Sequence, residues 1–208
     1  APLRRETFDA FEARTGQRIL ERYGMTEAGM ITSNPLQGPR VAGTVGFALP
    51  GVALRVVDDA GGIVDDEGIG TLEIRGPNVF KGYWRKPEKT REDFHDGWFV
   101  TGDLASRDAE GRVSIVGRGK DLIISGGLNV YPKEVEQVLD TLPGVSESAV
   151  FGVAHPDFGE GVVAAVVGDG STGFDEAALR ARLREMLAAF KVPQRIVELE
   201  ALPRNAMG

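Results

Sequence analysis

Residues 97–127 read GWFVTGDLASRDAEGRVSIVGRGKDLIISGG, and they constrain the fold more than any other stretch of the chain. A short apolar run, Trp98-Phe99-Val100, leads into Gly102-Asp103. Asp108-Ala109-Glu110-Gly111 is a turn signal, and residues 112–116 then alternate, with Val113 and Ile115 on one face. Extended runs joined by a glycine-containing turn predict an antiparallel hairpin. Asp103 and Arg118 fall just before and just after the paired unit, where both can face one ligand. A carboxylate acceptor beside a fixed-charge guanidinium suits a polyhydroxylated, phosphate-bearing molecule such as a nucleotide. An Asp and an Arg on ordinary surface loops would give the same pattern.

On either side the chain changes character. Residues 3–15 predict a helix with Phe8 and Phe11 on one face and Gly16 as its stop. Residues 19–23 read as a short strand running into Gly24-Met25-Thr26-Glu27, which sets a hydroxyl beside a carboxylate at a strand end. Ligands of α/β sheets often lie at such ends. A threonine hydroxyl can donate to a phosphate oxygen, and a glutamate is a hard ligand for Mg²⁺; the pair could equally start a helix. Residues 31–49 are expected to be loop-rich, with turns at Asn34-Pro35 and Gly38-Pro39. Residues 52–57, with Val52, Leu54 and Val56 on one side, and residues 70–76, with Leu72 and Ile74 inward, predict antiparallel strands. A short charged helix is expected over 87–94.

Beyond the hairpin, Tyr131-Pro132 opens a helix whose Val135, Val138, Leu139 and Leu142 form one buried stripe. Strands are expected at 145–153, 161–167 and 195–199, and a second helix at 175–189 with Leu179, Leu183, Met186, Leu187 and Phe190 on its apolar side. The alternation of strands and helices makes a small α+β domain. Gly168-Asp169-Gly170-Ser171-Thr172-Gly173 has the outline of a dinucleotide fingerprint. Its third glycine precedes the helix cap at Asp175 instead of packing inside the helix, so a surface turn is the better reading. His95 and His155 have no second histidine or thiol nearby and read as loop residues.

Composition narrows the function classes. With 208 residues the chain holds one large or two small domains. The formal net charge of −7 argues against non-specific nucleic-acid binding. No apolar run approaches the roughly 18 residues of a membrane span, and the first residues lack a signal peptide's apolar core, which points to the cytoplasm. The absence of cysteine removes disulfides, thiolate metal sites and thiol nucleophiles.

Taken together, these pieces resemble the adenylate-forming acyl-CoA synthetase family. Arg22-Tyr23-Gly24-Met25-Thr26-Glu27 is similar to its YGxTE motif, and residues 70–89, GTLEIRGPNVFKGYWRKPEK, to its GEL-x-IRGP…GY segment. Trp98-Phe99-Val100-Thr101-Gly102-Asp103 resembles W-[FY]-x-TGD, and Gly117-Arg118-Gly119-Lys120 the GR-x-K hinge. Residues 125–136, SGGLNVYPKEVE, follow in the family's order. RYGMTE with residues 30–52 is closer in pattern to malonyl-CoA synthetases than to aryl or long-chain ligases.

The resemblance implies a fold that is α/β and α+β: residues 1–118 as the β-rich end of a large adenylate-forming N-terminal domain, and 119–208 as a small mobile α+β C-terminal domain. It also implies chemistry in two steps. A small carboxylate, malonate or methylmalonate, attacks the α-phosphorus of ATP, and coenzyme A then displaces AMP. Tyr23, with Gly24 in the same motif, would lie against the adenine, and Thr26 would hold the α-phosphate. Glu27 would bind Mg²⁺, and Asp103 would accept from the ribose hydroxyls with Arg118 nearby. Lys120 would be the hinge between half-reactions, and Gly126 and Gly127 would approach the pantetheine of coenzyme A. The alternatives are another fatty or aryl acid–CoA ligase, or an adenylation domain that loads a carrier protein. No membrane partner is expected, and free CoA is preferred to a carrier. The phosphate loop and the family's adenylation lysine are missing from the sequence, so the chain reads as a C-terminal fragment, expected to be inactive alone.

Overall fold

The computed structural model describes residues 3, 5–64, 68–171 and 173–204, and the chain divides into two units, Ala1–Gly119 and Lys120–Gly208. The first unit opens with helix α1 (Arg5–Thr15), which buries Phe8 and stops at Gly16, where φ is 67°. A left-handed residue of that kind costs glycine little and ends the helix. Strands β1 (Arg22–Met25), β2 (Gly29–Ser33) and β3 (Phe47–Ala48) form an antiparallel sheet in that order. The strand expected at 19–23 therefore begins at Arg22. Just before it, the Glu21 carbonyl is taken by the Asn34 N–H at 3.0 Å, outside the ladder. The loop between β2 and β3 is closed by one buried side chain: Asn34 Nδ2 donates to the Thr44 carbonyl at 2.7 Å, and its Oδ1 accepts from the Val41 N–H at 3.3 Å.

A second, five-stranded antiparallel sheet follows. It contains β4 (Ala53–Val57), β5 (Gly70–Arg75), β6 (Phe94–His95), β7 (Trp98–Arg107) and β8 (Val113–Arg118), with helix α2 (Pro87–Asp93) between β5 and β6. Strand β7 is the spine. One edge pairs with β5, while β6 takes its first residues and β8 its last. Leu72 and Ile74 point inward as expected, and with Ile31, Val56, Phe99 and Val113 they form the unit's core. Val52, just ahead of β4, packs with Leu54 and Val56 against this core as expected, and Val57 is buried as well. The two sheets are joined at Gly46, which exchanges backbone hydrogen bonds with Val113 through Gly46 O and Val45 N–H, each 2.8 Å.

The second unit starts with a tight hairpin, β9 (Ile123–Ser125) and β10 (Leu128–Val130). Helix α3 (Pro132–Leu139) carries its proline in the first turn, where no N–H is needed. Its Val135 and Leu139 are buried, and Val138 and Leu142 pack with them. The long hairpin β11 (Val145–His155) and β12 (Gly159–Gly168) is flanked by β13 (Arg195–Leu199), parallel to β12. Helix α4 (Glu176–Met186) is capped by Asp175, whose Oδ1 accepts from the Ala178 N–H at 3.0 Å. It ends three residues before the expected limit, because Leu187 turns extended (φ −123°) and follows Leu179 and Leu183 into the core. Met186 and Phe190 are left exposed.

The glycine-rich stretch after β12 is a surface turn in which Asp169 Oδ1 accepts from the Ser171 N–H at 2.7 Å; its Thr172 lies outside the described residues. His95 and His155 close strands β6 and β11, where loops were expected. Both units are α+β. Among the described residues no helix is long and apolar enough to cross a membrane.

Candidate active site

Among the described residues Asp103 is the most enclosed charged group of the first unit, with its side chain 5% exposed. Gly102 before it adopts φ 74°, and the register slips between Leu104 and Ala105. This bulge re-aims the strand and sets Asp103 opposite Arg118. Thr101 pins the turn from behind: its Oγ1 donates to the Leu72 carbonyl at 2.8 Å and accepts from the Asp103 N–H at 3.1 Å. The two carboxylate oxygens have different partners. Arg118 Nε lies 2.9 Å from Oδ1, and the Tyr23 hydroxyl donates to Oδ2 at 2.5 Å. Burial, followed by the Asp103 hydrogen bond and charge, pushes the Tyr23 hydroxyl well above its ordinary pKa, so it remains a donor at neutral pH. A carboxylate has about four acceptor sites, so Asp103 keeps capacity for two further donors such as a vicinal diol. The expected pairing of Asp103 and Arg118 is present, inside the ladder and not flanking it.

Thr26, Glu27 and Ala28 form the three-residue tip of the β1–β2 hairpin, closed by the Ala28 N–H on the Met25 carbonyl at 3.1 Å and by Gly29 at φ 60°. Thr26 and Glu27 thus stand at a strand end, as the sequence suggests, in an antiparallel hairpin and not at the start of a helix. Gly24 is required by the closure itself, since a Cβ there would lie 2.3 Å from the Gly29 carbonyl oxygen. Thr26 is exposed and Glu27 half-buried. Glu27 is gripped from one loop: the Phe80 N–H donates to its carbonyl at 2.7 Å, and the Tyr83 hydroxyl donates to its Oε1 at 3.2 Å. Asn78 Nδ2 holds the adjoining Ala28 carbonyl at 2.8 Å. Sequence reasoning assigned no role to Asn78, Phe80 or Tyr83, although all three lie in the segment that carries the resemblance.

In the second unit Lys120 is exposed on a 3₁₀ turn, Gly119–Asp121. Gly126 and Gly127 are the two central residues of the β9–β10 turn, at φ 58° and 79°. Positive φ at both marks a type I′ turn, which glycine adopts without steric cost. The Gly126 N–H is held by the Phe158 carbonyl at 2.9 Å, so the turn is presented in a fixed orientation on its own unit.

Residues 1–84 match the AMP-binding enzyme family, and residues 134–208 match the AMP-binding enzyme C-terminal domain. The chain belongs to the adenylate-forming AMP-binding enzyme family. It is 40% identical, over 99% of its length, to a malonate–CoA ligase of Arabidopsis thaliana, and covers 35% of that protein. A sulfoacetate–CoA ligase of Cupriavidus necator is 42% identical over 100% of the chain, which covers 41% of it. The ATP-bound crystal structure of MatB from Rhodopseudomonas palustris superposes with a TM-score of 0.96 at 55% identity, over 100% of this chain and 42% of that one. The chain thus spans between 35% and 42% of the length of these relatives.

As an AMP-binding family member, the chain has Tyr23, Gly24, Thr26 and Glu27 inside the first matched region, while Asp103, Arg118, Lys120, Gly126 and Gly127 lie between the two. Its acidic side chains also bear on how a cation would be held. Among the described residues no three His, Cys, Asp or Glu side chains cluster as a metal site. Mg²⁺ characteristically takes one or two carboxylates plus substrate phosphates. The single half-buried Glu27, with one oxygen bonded by Tyr83, fits that mode and does not fit a resident all-protein cage.

Proposed function

We propose that the whole protein carrying this chain is an AMP-forming acid–thiol ligase, which activates a small carboxylic acid with ATP and passes the acyl group to coenzyme A. The observation that carries the reading is the buried Asp103 carboxylate, fixed by Tyr23 and Arg118 across 80 and 15 residues of sequence yet with acceptor capacity to spare. A carboxylate so placed suits the two ribose hydroxyls of a nucleotide. The ring of Tyr23 supplies a flat apolar face for the base. The exposed Thr26 hydroxyl would donate to the α-phosphate, and Glu27 would hold the cation that accompanies ATP. That cation supplies neutralisation of the charge that builds on the phosphate.

In the first step a carboxylate oxygen of the acid attacks the α-phosphorus, and pyrophosphate leaves with the electrons of the broken P–O bond. In the second, the CoA thiolate attacks the acyl carbon and AMP departs. Lys120 is proposed as the hinge between the steps. The Gly126-Gly127 turn is proposed as the approach to pantetheine, where the missing side chains leave room. Malonate or methylmalonate is the proposed acid, supported by the identity to malonate–CoA ligase. The similar identity to sulfoacetate–CoA ligase favours a second short dianionic acid as the alternative.

Pyrophosphate release by the whole protein, measured with CoA and with malonate, methylmalonate, sulfoacetate, acetate, octanoate or a cinnamate, tests the reading. Release with malonate or methylmalonate alone supports it. Release with a monocarboxylate keeps the ligase and discards the malonyl assignment. No release with any acid removes the activity.

A further inference from the structure

Glu27 sits at a hairpin tip, and tips of this kind are ordinarily mobile. Here the loop over residues 78–83 fastens it at three points, two on the backbone and one on the carboxylate. The side-chain point is the informative one, because a backbone grip fixes where the carboxylate starts and only the Tyr83 hydroxyl fixes which way it faces. Tyr83 is itself tightly placed. Its N–H donates to Thr90 Oγ1 on α2 at 2.9 Å, and that hydroxyl in turn donates to the Lys86 carbonyl at 3.0 Å. Gly82 at φ 144° lets Thr90 come this close, since a Cβ there would lie 2.7 Å from Thr90 Cγ2. The Tyr83 ring packs edge-on against Phe80 at 4.8 Å, and Phe80 packs on Phe99 at 5.3 Å. Phe99 belongs to β7, the strand that carries Asp103. Asp93 also lies near the Tyr83 hydroxyl, but Lys89 engages it at 2.6 Å, which leaves Glu27 as the stronger claimant for the proton.

We infer that Tyr83 is a positioning residue for Glu27: by occupying Oε1 it presents Oε2 to the divalent cation of a metal–nucleotide complex. The inference rests on the reading of Glu27 as the cation's carboxylate. Groups that orient a metal ligand through its second oxygen are typically worth about 10-fold or more in metal affinity. The aromatic stack gives the arrangement a second property, since it ties the cation's carboxylate and the strand of the ribose carboxylate to one rigid body.

The test compares wild type with Tyr83→Phe, Thr90→Val and Glu27→Gln in the whole protein. Mn²⁺ affinity is read by electron paramagnetic resonance with a non-hydrolysable ATP analogue, and the Mg²⁺ requirement of pyrophosphate release is read in parallel. Tyr83→Phe keeps the ring and its packing, and it should weaken Mn²⁺ binding about 10-fold, with a matching rise in the Mg²⁺ requirement that excess Mg²⁺ repairs. Thr90→Val, which frees the Tyr83 N–H without touching the ring, should shift both in the same direction and by less; it decides the matter if Tyr83→Phe does not fold. Unchanged Mn²⁺ affinity in the folded Tyr83 variant, beside weakened affinity in Glu27→Gln, overturns the positioning role and leaves the proposed function standing. Unchanged affinity in Glu27→Gln overturns both the metal reading and this inference.

Discussion

Asp103 and Arg118 occupy one register position of the β7–β8 ladder, with Arg118 Nε 2.9 Å from Asp103 Oδ1. Their contact is a product of strand pairing, so its geometry is as fixed as the sheet. Arg118 is itself half in solvent, its side chain 52% exposed, while Asp103 is enclosed. The pair therefore works as a buried acceptor with an exposed brace, and the acceptor is the member whose loss should be felt at the nucleotide.

Asp103→Ala in the whole protein is expected to raise the KM for ATP by at least about 10- to 100-fold, the equivalent of one of the two charge-assisted hydrogen bonds it would lose. Tyr23→Phe, which keeps the ring and loses only the 2.5 Å bond to Oδ2, should cost about 5-fold. Steady-state pyrophosphate release checks both, and an unchanged KM in Asp103→Ala removes it from the nucleotide site.

Alkaline stability should report the two half-buried tyrosines, Tyr23 and Tyr83. Tyr83 is pushed up to about 12, first by burial and then by the Glu27 charge and hydrogen bond, and Tyr23 is raised further. A raised folded-state pKa stabilises the fold fully below the unfolded value of about 10, and that stabilisation is lost as pH rises through the folded value. Unfolding free energy should thus fall above about pH 10, and it should fall less steeply in Tyr83→Phe. Urea titrations across this range, with phenolate absorbance as the proton count, give the answer.

Glu21 should behave in the same sense at lower pH. It is 9% exposed, with Oε2 unpartnered, and burial raises its pKa despite N–H donors from Gly43 and Leu3. The folded state prefers the neutral acid, so its contribution declines as pH rises through the raised folded value. Glu21→Gln is expected to stabilise the first unit by about 1 kcal/mol at neutral pH, with the gain vanishing in acid. Thermal melts at pH 4 and 7 would reveal it, and equal shifts at both would count against it.

In the second unit, Leu139→Ala should cost about 2–5 kcal/mol, because a fully buried leucine leaves a cavity. Gly127→Val should cost about 1–2 kcal/mol for a branched side chain at φ 79°. Denaturant midpoints separate them from wild type. In the whole protein Gly127→Val should depress thioester formation more than adenylation.

Much of this was legible in the sequence. The turn at 108–111 announced the β7–β8 hairpin, and its Asp108 does bind the Glu110 and Arg112 N–H groups at 3.1 and 2.8 Å. The stripe of α3 and the cap at Asp175 were equally local signals. Strands β3 and β6, two residues each, carry no alternation that could reveal them. Glu21, between Ile19-Leu20 and Arg22-Tyr23, reads as strand because nothing local shows that its carbonyl answers to Asn34. Tyr83 was invisible as a site residue for the same reason: its partner lies 56 residues away. Its neighbours Gly82 and Thr90 make sense only once α2 folds back on it.

The slip between Leu104 and Ala105 has an arithmetic consequence. It has already used the one odd residue the hairpin can absorb before the Asp103–Arg118 position. Adding or removing a single residue elsewhere in 104–107 or 113–117 would send Arg118 to the opposite face of the sheet and set a glycine, Gly117 or Gly119, across from Asp103. Length changes absorbed wholly within the turn at 108–111, with the pairs of 104–107 and 113–117 kept, leave that parity untouched. The hairpin is therefore free to vary at its tip and forbidden to vary along its rails, so the number of residues on each rail, from Asp103 to the turn and from the turn to Arg118, is as much a part of the site as the charges.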